Sequence, residues 1–403
     1  MARILVTYGW SRVGWHVLRS LARDGHEVFA CSSKSPSMAG ASRFCRQSFV
    51  TADPFAEAEA FAKDVGEICR SQRIDIVFPC HEDALPLRHH EKVLPAGVRL
   101  ACPPMDPLRE CIDKARMTQL AEKAGLDIPR SIFPDSPEAL LAGIESWPYP
   151  VVIKLRRANS GKGVYIEHSQ AQVRARIQSH LEPYFDRDGR HPYAQHFVAG
   201  DVVGAGFLAI DGRMVAFFGE RYVRTKNGGI GTSTYRVPFD NQSLRDSTSR
   251  MVEALGWSGI GHLDFIEDRA TGKLRFLEVN PRSWGGIHHA IANGHDFPAA
   301  LIAHLEGRAC LDSYFSSATE GAAQRPSLWM LGDMIRMVHL LKEGDWRRGL
   351  FSPLQTLRDS FRARVDDFSL SDPAPFFAQA WCYGREFLRS GGNTNPDSDG
   401  MTD

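Results

Sequence analysis

A chain of 403 residues, 43% of them hydrophobic, is long enough to bury a large core and to divide into roughly two to four domains or subdomains. Its 48 basic and 48 acidic residues cancel to a formal net charge of zero, so no global field draws it to nucleic acid or to an anionic membrane. Eight cysteines without a CxxC pair exclude a disulfide scaffold and the usual zinc spacings, and the lack of a signal-peptide core or an apolar run of roughly 20 residues points to a cytoplasmic protein.

Residues 3–8 read as a buried strand, 9–14 as a turn leading into a helix through about Ala22, and 26–31 as a second strand. This is a βαβ opening. Its turn, GWSRVG, has neither the GxGxxG spacing of a dinucleotide fold nor the GK[ST] ending of a phosphate loop, which leaves an NAD(P)-dependent oxidoreductase as a minor alternative. A helix at 55–70, a strand at 75–79 and a short last strand within 99–104 continue a parallel, doubly wound sheet. His81, Glu82 and Asp83 follow a strand at the carboxyl edge of that sheet, where open α/β sheets place ligands, and are weak substrate-site candidates. His89 and His90 belong on a solvated helix face.

Pro103, Pro104 and Pro107 mark a boundary, after which a helical pattern runs over 108–124 and contains Lys114. The run PVVIKL, 150–155, places Lys154 near the end of a β-branched strand, where an ammonium group is costly unless it faces an anion such as phosphate. Then ANSGKGVYIE, 158–167, is a small-residue loop whose Gly161 and Gly163 let the backbone approach phosphate while Lys162 adds charge. A strand at 193–198 follows. The strands 203–210 and 214–222 flank an Asp211-Gly212 turn, a strong hairpin signal. The stretch TKNGGIGTST, 225–234, is too glycine-rich for regular structure, and a helix spans 243–255.

The most informative stretch is 259–286. Two apolar and β-branched runs, HLDFIE and LRFLEVN, flank a polar turn at Thr271, Gly272 and Lys273 and read as a hairpin. Alternation puts Leu263, Phe265, Leu277 and Val279 on a core face and His262, Asp264, Glu278 and Asn280 on the other. Turning about Thr271, the hairpin sets Asp264 opposite Glu278 at about 5 Å, a repulsive pair that a hard divalent cation such as Mg²⁺ would offset. Arg282 follows at once, a planar fork suited to a phosphoryl group or a charged acyl intermediate.

The run LDFIED…LRFLEVNPRSWGG resembles the metal-binding strands of the ATP-grasp superfamily, whose members usually activate a carboxylate as an acyl phosphate. The resemblance implies that Asp264, Glu278 and Asn280 hold Mg²⁺, with Mn²⁺ as a substitute, around the phosphates of ATP, and that Arg282 is the catalytic group. It implies that Lys114, in a DK pair opening its helix, and Lys154 touch the phosphates, and that Ser160, Gly161, Lys162 and Gly163 form the phosphate-covering loop. The strand at 193–198 corresponds to the hinge on which adenine rests, with backbone groups near Phe197 and Val198 reading the base edge. Here Gln195 stands where a glutamate is usual, and Asp201 is the candidate for the ribose-binding acid. In ligases of this kind the 225–234 loop borders the substrate pocket, so Lys226, Ser233, Thr234 and Arg236, with Ser283 beyond the hairpin, are candidates for holding substrate.

Helices are expected at 287–293 and 298–305, the second capped by Asp296 and stopped at Gly307. The segment 328–388 reads as mostly helical, without a catalytic signature, and 391–403 has nothing to bury and reads as a disordered tail. The expected fold class is mixed α/β and α+β. An open parallel α/β domain (1–107) precedes an ATP-grasp fold (108–325, lobes at about 108–190 and 191–325) and a C-terminal helical extension (326–390) like that of carbamoyl-phosphate-synthase-like proteins. The expected activity is an ATP-dependent carboxylate–amine ligase releasing ADP and phosphate, with phosphorylation of bicarbonate or carbamate as the alternative. Small-molecule substrates, no nucleic acid, no membrane and a possible homodimer complete the expectation.

Overall fold

The computed structural model describes residues 1–157, 163–187, 189–227, 230–308, 310–315 and 324–389. Three sheets organise them. The first is parallel, in the order β3-β2-β1-β4-β5, from β1 (Arg3–Val6), β2 (Glu27–Ser32), β3 (Ser48–Val50), β4 (Ile76–Phe78) and β5 (Arg99–Leu100). After Arg3 its central strand is apolar because helices cover both faces: Ile4, Leu5 and Val6 are all fully buried. The turn after β1 starts the helix Arg12–Arg23, whose cap Ser11 accepts from the Gly14 amide at 3.1 Å. The edge strand β3 escaped the sequence reading because three residues, two of them exposed, carry no readable period.

The second sheet is small and antiparallel, in the order β6-β9-β7-β8: β6 (Ser131–Ile132), β7 (Val151–Lys154), β8 (Val164–Glu167) and β9 (Tyr193–His196). The helix expected over 108–124 is two helices, Met105–Cys111 and Lys114–Lys123. Asp113 divides them. Its extended backbone and its carboxylate, accepting from the amides of Ala115 (3.0 Å) and Arg116 (3.1 Å), start a fresh helix.

The third sheet has seven strands in the order β14-β13-β10-β11-β12-β15-β16: β10 (Gly200–Ile210), β11 (Arg213–Asn227), β12 (Ile230–Pro238), β13 (Gly259–Asp268), β14 (Leu274–Asn280), β15 (Ser327–Leu328) and β16 (Arg364–Val365). The β10–β11 turn has Asp211 at φ 49° and Gly212 at φ 76°, as a two-residue hairpin requires. Two expectations need correction here. The stretch 225–234 is strand on both sides of residues 228–229, because Thr225, Thr232 and Thr234 favour extended backbone, and the β11–β12 pairing takes register shifts between Tyr222 and Asn227. The C-terminal region is not helices alone, since β15 and β16 extend this sheet from β12. Two-residue strands give no alternation to read.

The helix Lys114–Lys123 packs Met117 and Ala121 against Phe265, Phe276 and Val279 beneath the third sheet. A second core joins the first sheet to the third through Trp15, Leu18, Leu208, Phe218 and Trp284. The expected tail lies outside the described residues, and no described helix is long and apolar enough to cross a membrane.

At the edge of the first sheet Asp83 is fully buried beneath Thr7, which donates to it, and it accepts from the His81 amide at 2.8 Å. Burial, aided by the charge of Glu82, pushes its carboxyl up to about 7 from an ordinary 3.8. A raised acid binds its proton more tightly when folded, so this contribution is present below about pH 4 and is lost as the pH climbs to about 7. Asp83→Asn keeps both hydrogen bonds and should raise the melting temperature by a few degrees at pH 8 but hardly at pH 5. Melts at the two pH values check this, and equal shifts would contradict it.

Candidate active site

A cavity lies between the second sheet and the exposed face of the third. Its inner end is an apolar slot, with Val152 and Ile166 on one side and Val202, Ile266 and Leu277 on the other. Phe197 and Val198 close its edge, and Gln195 also lines it, buried with its amide donating to Ser131 Oγ at 3.0 Å.

At the other end the chemistry gathers. The β13–β14 register pairs Asp264 with Glu278 and His262 with Asn280. Beyond Asp264 the register shifts, so Phe265 faces Phe276 and Leu277 is the extra residue of a bulge. This corrects the alternation expected for β14: Leu274, Phe276 and Val279 enter the core, while Leu277 turns to the cavity wall.

Each carboxylate has its own neighbours. Asp264 accepts from Tyr222 OH at 3.0 Å and from Asn280 Nδ2 at 2.9 Å. Glu278 accepts from Lys114 Nζ. Gly204 lies across from both Glu220 and Asp264, and a side chain there would meet His262 Nε2 at 2.5 Å and Tyr222 OH at 2.9 Å, so only glycine leaves these groups their places. Burial and then the charge of Glu278 push the Asp264 carboxyl up. Burial acts on Glu278 in the same sense, but the charges of Lys114, Lys154 and Arg282 hold it below the usual range. The pair thus splits, as two close acids must. Lys154 lines the cavity, its ammonium pushed down to about 8 by burial and by the charge of Lys114.

Arg282 is the centre of a bridge. It donates from Nε to Glu82 Oε1 at 2.9 Å, from Nη2 to Asn280 Oδ1 at 3.3 Å and from Nη1 to the Ser283 carbonyl at 3.1 Å. Glu82 comes from the first sheet, and His81 beside it stacks on Tyr8 with ring centroids 4.4 Å apart. The carboxyl edge of that sheet therefore touches the cavity through one arginine.

The remaining expected residues divide. Gly163 has φ 63° and accepts through its carbonyl from the Leu155 amide at 2.8 Å; Ser160, Gly161 and Lys162 lie outside the described residues. Asp201, expected at the ribose, is not among the lining residues. It is half-exposed and paired with Arg221 (3.3 Å) and Arg269 (3.5 Å), because alternation along β10 turns Val202 to the cavity instead. Lys226 and Thr234 do not line it either: the Lys226 ammonium lies 5.9 Å from the Trp329 ring centroid, and the Thr234 hydroxyl donates to Asp333 at 2.5 Å. Ser283 lines a small neighbouring cavity with His81 and Arg282. Ser233 and Arg236 do line the main cavity, although the Ser233 hydroxyl sits by the carbonyls of Arg224 and Tyr235. Arg236 is fully buried, donates to the carbonyls of Gly285 (2.9 Å) and Ser233 (2.6 Å), and lies 3.2 Å from Asp366. Its Nε has no partner among the described residues.

Leu277, Tyr222, Glu220 and Asp366 were missed. The mid-strand glycines Gly204 and Gly206 were a signal for close approach at Tyr222 and at Trp284, which donates to Glu220 at 3.0 Å. Nothing local marks Asp366, which reaches Arg236 from the far end of the chain.

Among the described residues no three His, Cys, Asp or Glu converge on one point. The donors present are two carboxylates and an amide oxygen. This set does not enclose a metal; it fits Mg²⁺, which takes much of its coordination from substrate phosphates and water.

A family model described as ATP-grasp in the biosynthetic pathway with Ter operon matches residues 207–324. A putative urea carboxylase of Emericella nidulans is 24% identical over 292 residues, 66% of this chain and 23% of its own length. The carbamoyl phosphate synthase large chain of Pyrococcus furiosus is 22% identical over 197 residues, 46% of this chain and 18% of its own. The chain thus spans about a fifth of the length of these relatives. The biotin carboxylase domain dimer of Hydrogenobacter thermophilus 2-oxoglutarate carboxylase, solved with MgADP, ADP and bicarbonate, superposes with a TM-score of 0.63 at 14% identity, covering 77% of this chain and 71% of that one. ATP and Mg²⁺ are typical of such proteins. With two sheets closing on a cavity that ends in a cross-strand carboxylate pair, the chain carries the ATP-grasp fold, and its residues 207–324 match an ATP-grasp family model.

Proposed function

We propose that the protein is an ATP-dependent carboxylate–amine ligase that forms an acyl phosphate and releases ADP and phosphate. The observation that carries this reading is the Asp264–Glu278 pair with Asn280, facing Lys154 and flanked by Lys114 and Arg282. The apolar slot takes the adenine between Ile166 and Leu277, and the triphosphate runs towards Lys154. Mg²⁺, or Mn²⁺ in its place, would be held by Asp264, Glu278 and Asn280 and would neutralise the phosphates when bound. A substrate carboxylate oxygen attacks the γ-phosphorus and ADP leaves. The amine nitrogen then attacks the acyl carbon, phosphate leaves, and the nitrogen loses a proton. Arg282 lies where charge develops, so this chain contributes position and charge, with no side-chain nucleophile. Arg236 is the group proposed for the substrate, since a buried N–H without a partner is what a carboxylate satisfies.

Mg²⁺-dependent ADP release, challenged with pooled amino acids, small carboxylic acids and bicarbonate, tests the reading. Stimulation by an acid together with an amine supports it. Stimulation by bicarbonate alone selects the second reading, a carboxylase or carbamoyl-phosphate type of activity, which the urea carboxylase and carbamoyl phosphate synthase likenesses favour.

Lys154 supplies an independent check. Phosphate oxygens favour its charged form, so near pH 8 nucleotide binding should take up a fraction of a proton. Calorimetry in buffers of different ionisation enthalpy reads that fraction. Lys154→Met should abolish the uptake and weaken binding about tenfold or more; a buffer-independent heat for the unaltered protein would contradict it.

A further inference from the structure

The C-terminal segment delivers one carboxylate to the edge of the cavity. β15 meets β12 with Ser327 opposite Arg236, and β16 meets β15 with Arg364 opposite Ser327, so the chain passes Arg236 again two residues later, at Asp366. The Asp366 amide donates to the Leu328 carbonyl at 2.7 Å and continues the pairing. Its side chain is fully buried.

Four donors fill the four acceptor sites of that carboxylate. Oδ2 accepts from Arg12 Nη1 at 2.7 Å and lies 3.2 Å from Arg236 Nη1, while Oδ1 accepts from His288 Nδ1 at 3.0 Å and from the Ser327 hydroxyl. The donors come from the helix Arg12–Arg23, from β12 and β15, and from the helix Ile287–Ala292, so Asp366 is fixed from every side. Arg236 is held in turn. Its Nη1 donates to the Gly285 carbonyl and faces Asp366, and its Nη2 donates to the Ser233 carbonyl. A guanidinium is planar, so contacts at both terminal nitrogens fix where the Nε–H points. The two carbonyls are neutral, and the counter-charge comes from Asp366. Burial works against the charge of Arg236, and Asp366, ahead of Glu220, outweighs it. Without that carboxylate a buried guanidinium is costly in this place.

We propose, resting on Arg236 as the group that takes the substrate's carboxylate, that Asp366 is the positioning residue for Arg236. Through it the C-terminal segment sets the affinity for the carboxylate substrate and leaves nucleotide binding alone. Asp366 itself does not line the cavity, so its effect passes through Arg236.

The probe is the pool of amino acids, small carboxylic acids and bicarbonate, titrated as one mixture against Mg²⁺-dependent ADP release. Asp366→Asn keeps the size of the side chain and removes its charge. It should raise the half-saturating pool concentration about tenfold or more, with the maximal rate and the affinity for MgADP within about twofold of the unaltered protein, because a contact made equally in ground and transition states moves KM and not kcat. A merely structural loss would move all three together. Arg12 also loses its counter-charge in this variant, which can prevent folding, so Ser327→Ala provides a second test. It removes one donor to Asp366 and no charge, and should raise the same concentration about two- to threefold with a normal melt. An unchanged half-saturation in either folded variant, or one that rises together with a loss of MgADP affinity, would overturn the role of Asp366. Arg236→Lys tests the underlying reading separately, since it keeps a charge for Asp366 and lacks the planar fork. If it leaves half-saturation unchanged, or if the pool never stimulates ADP release, Arg236 is not the substrate's group and both readings fall.

Discussion

Glu278→Gln is expected to lower ATP turnover by a factor on the order of 10²–10³, the cost of removing one preorganised charge from such a site. The chain should still fold, because a glutamine oxygen can accept from Lys114 Nζ as Glu278 does. The charge arrangement changes. Lys114 loses its counter-charge, Asp264 loses the like charge that helps hold its carboxyl up, and the proposed metal loses one of two carboxylates. Steady-state turnover with a parallel thermal melt separates these effects. A variant that melts normally and turns over at the original rate would show that the β13–β14 pair does not carry the chemistry.

Arg282→Ala should produce the second large effect, on stability as well as turnover. Arg282 and Glu82, with side chains 12% and 10% exposed, are joined at 2.9 Å, so truncating one leaves the other charged, largely covered and without its partner. Breaking such a pair costs about 3–5 kcal/mol. Turnover should fall by a further factor on the order of 10² or more, since the same guanidinium faces the reacting phosphoryl group in the proposed mechanism. Glu82→Gln distinguishes the two roles. It removes the pair but leaves Arg282 bonded to Asn280 and the Ser283 carbonyl, so the melt should fall more than turnover does. If Arg282→Ala melts and turns over like the unaltered protein, the bridge from the first sheet to the site has no function.

The legibility of this site follows from how locally each part is encoded. Asp264 facing Glu278 could be read because strand period and a short polar turn set the register. Leu277 could not, since one extra residue in β14 reverses the face and no residue type announces a bulge. Asp201 looked like the ribose acid because it is the only acid near the hinge, yet strand alternation gives the inward position to Val202. β7, β9, β10, β11, β13 and β14 were visible as strand runs, whereas β12 was hidden behind a glycine-rich start and β3, β6, β15 and β16 are too short to show a period. Glu82 was flagged by its place at a sheet edge, but its partner lies 200 residues away, and only the fold joins them. Asp366 is the same case carried further: its contacts with Arg12 at 2.7 Å and Arg236 at 3.2 Å link both ends of the chain to the cavity.

The central claim, that a carboxylate is activated as an acyl phosphate beside Glu278 and Arg282, is tested most directly by trapping. The protein would be incubated with Mg²⁺, ATP, the stimulating acid and hydroxylamine in place of the amine. The account predicts a hydroxamate formed in step with ADP, and neither product from Glu278→Gln. Release of AMP and pyrophosphate, or a hydroxamate that Glu278→Gln still makes at the original rate, would contradict it.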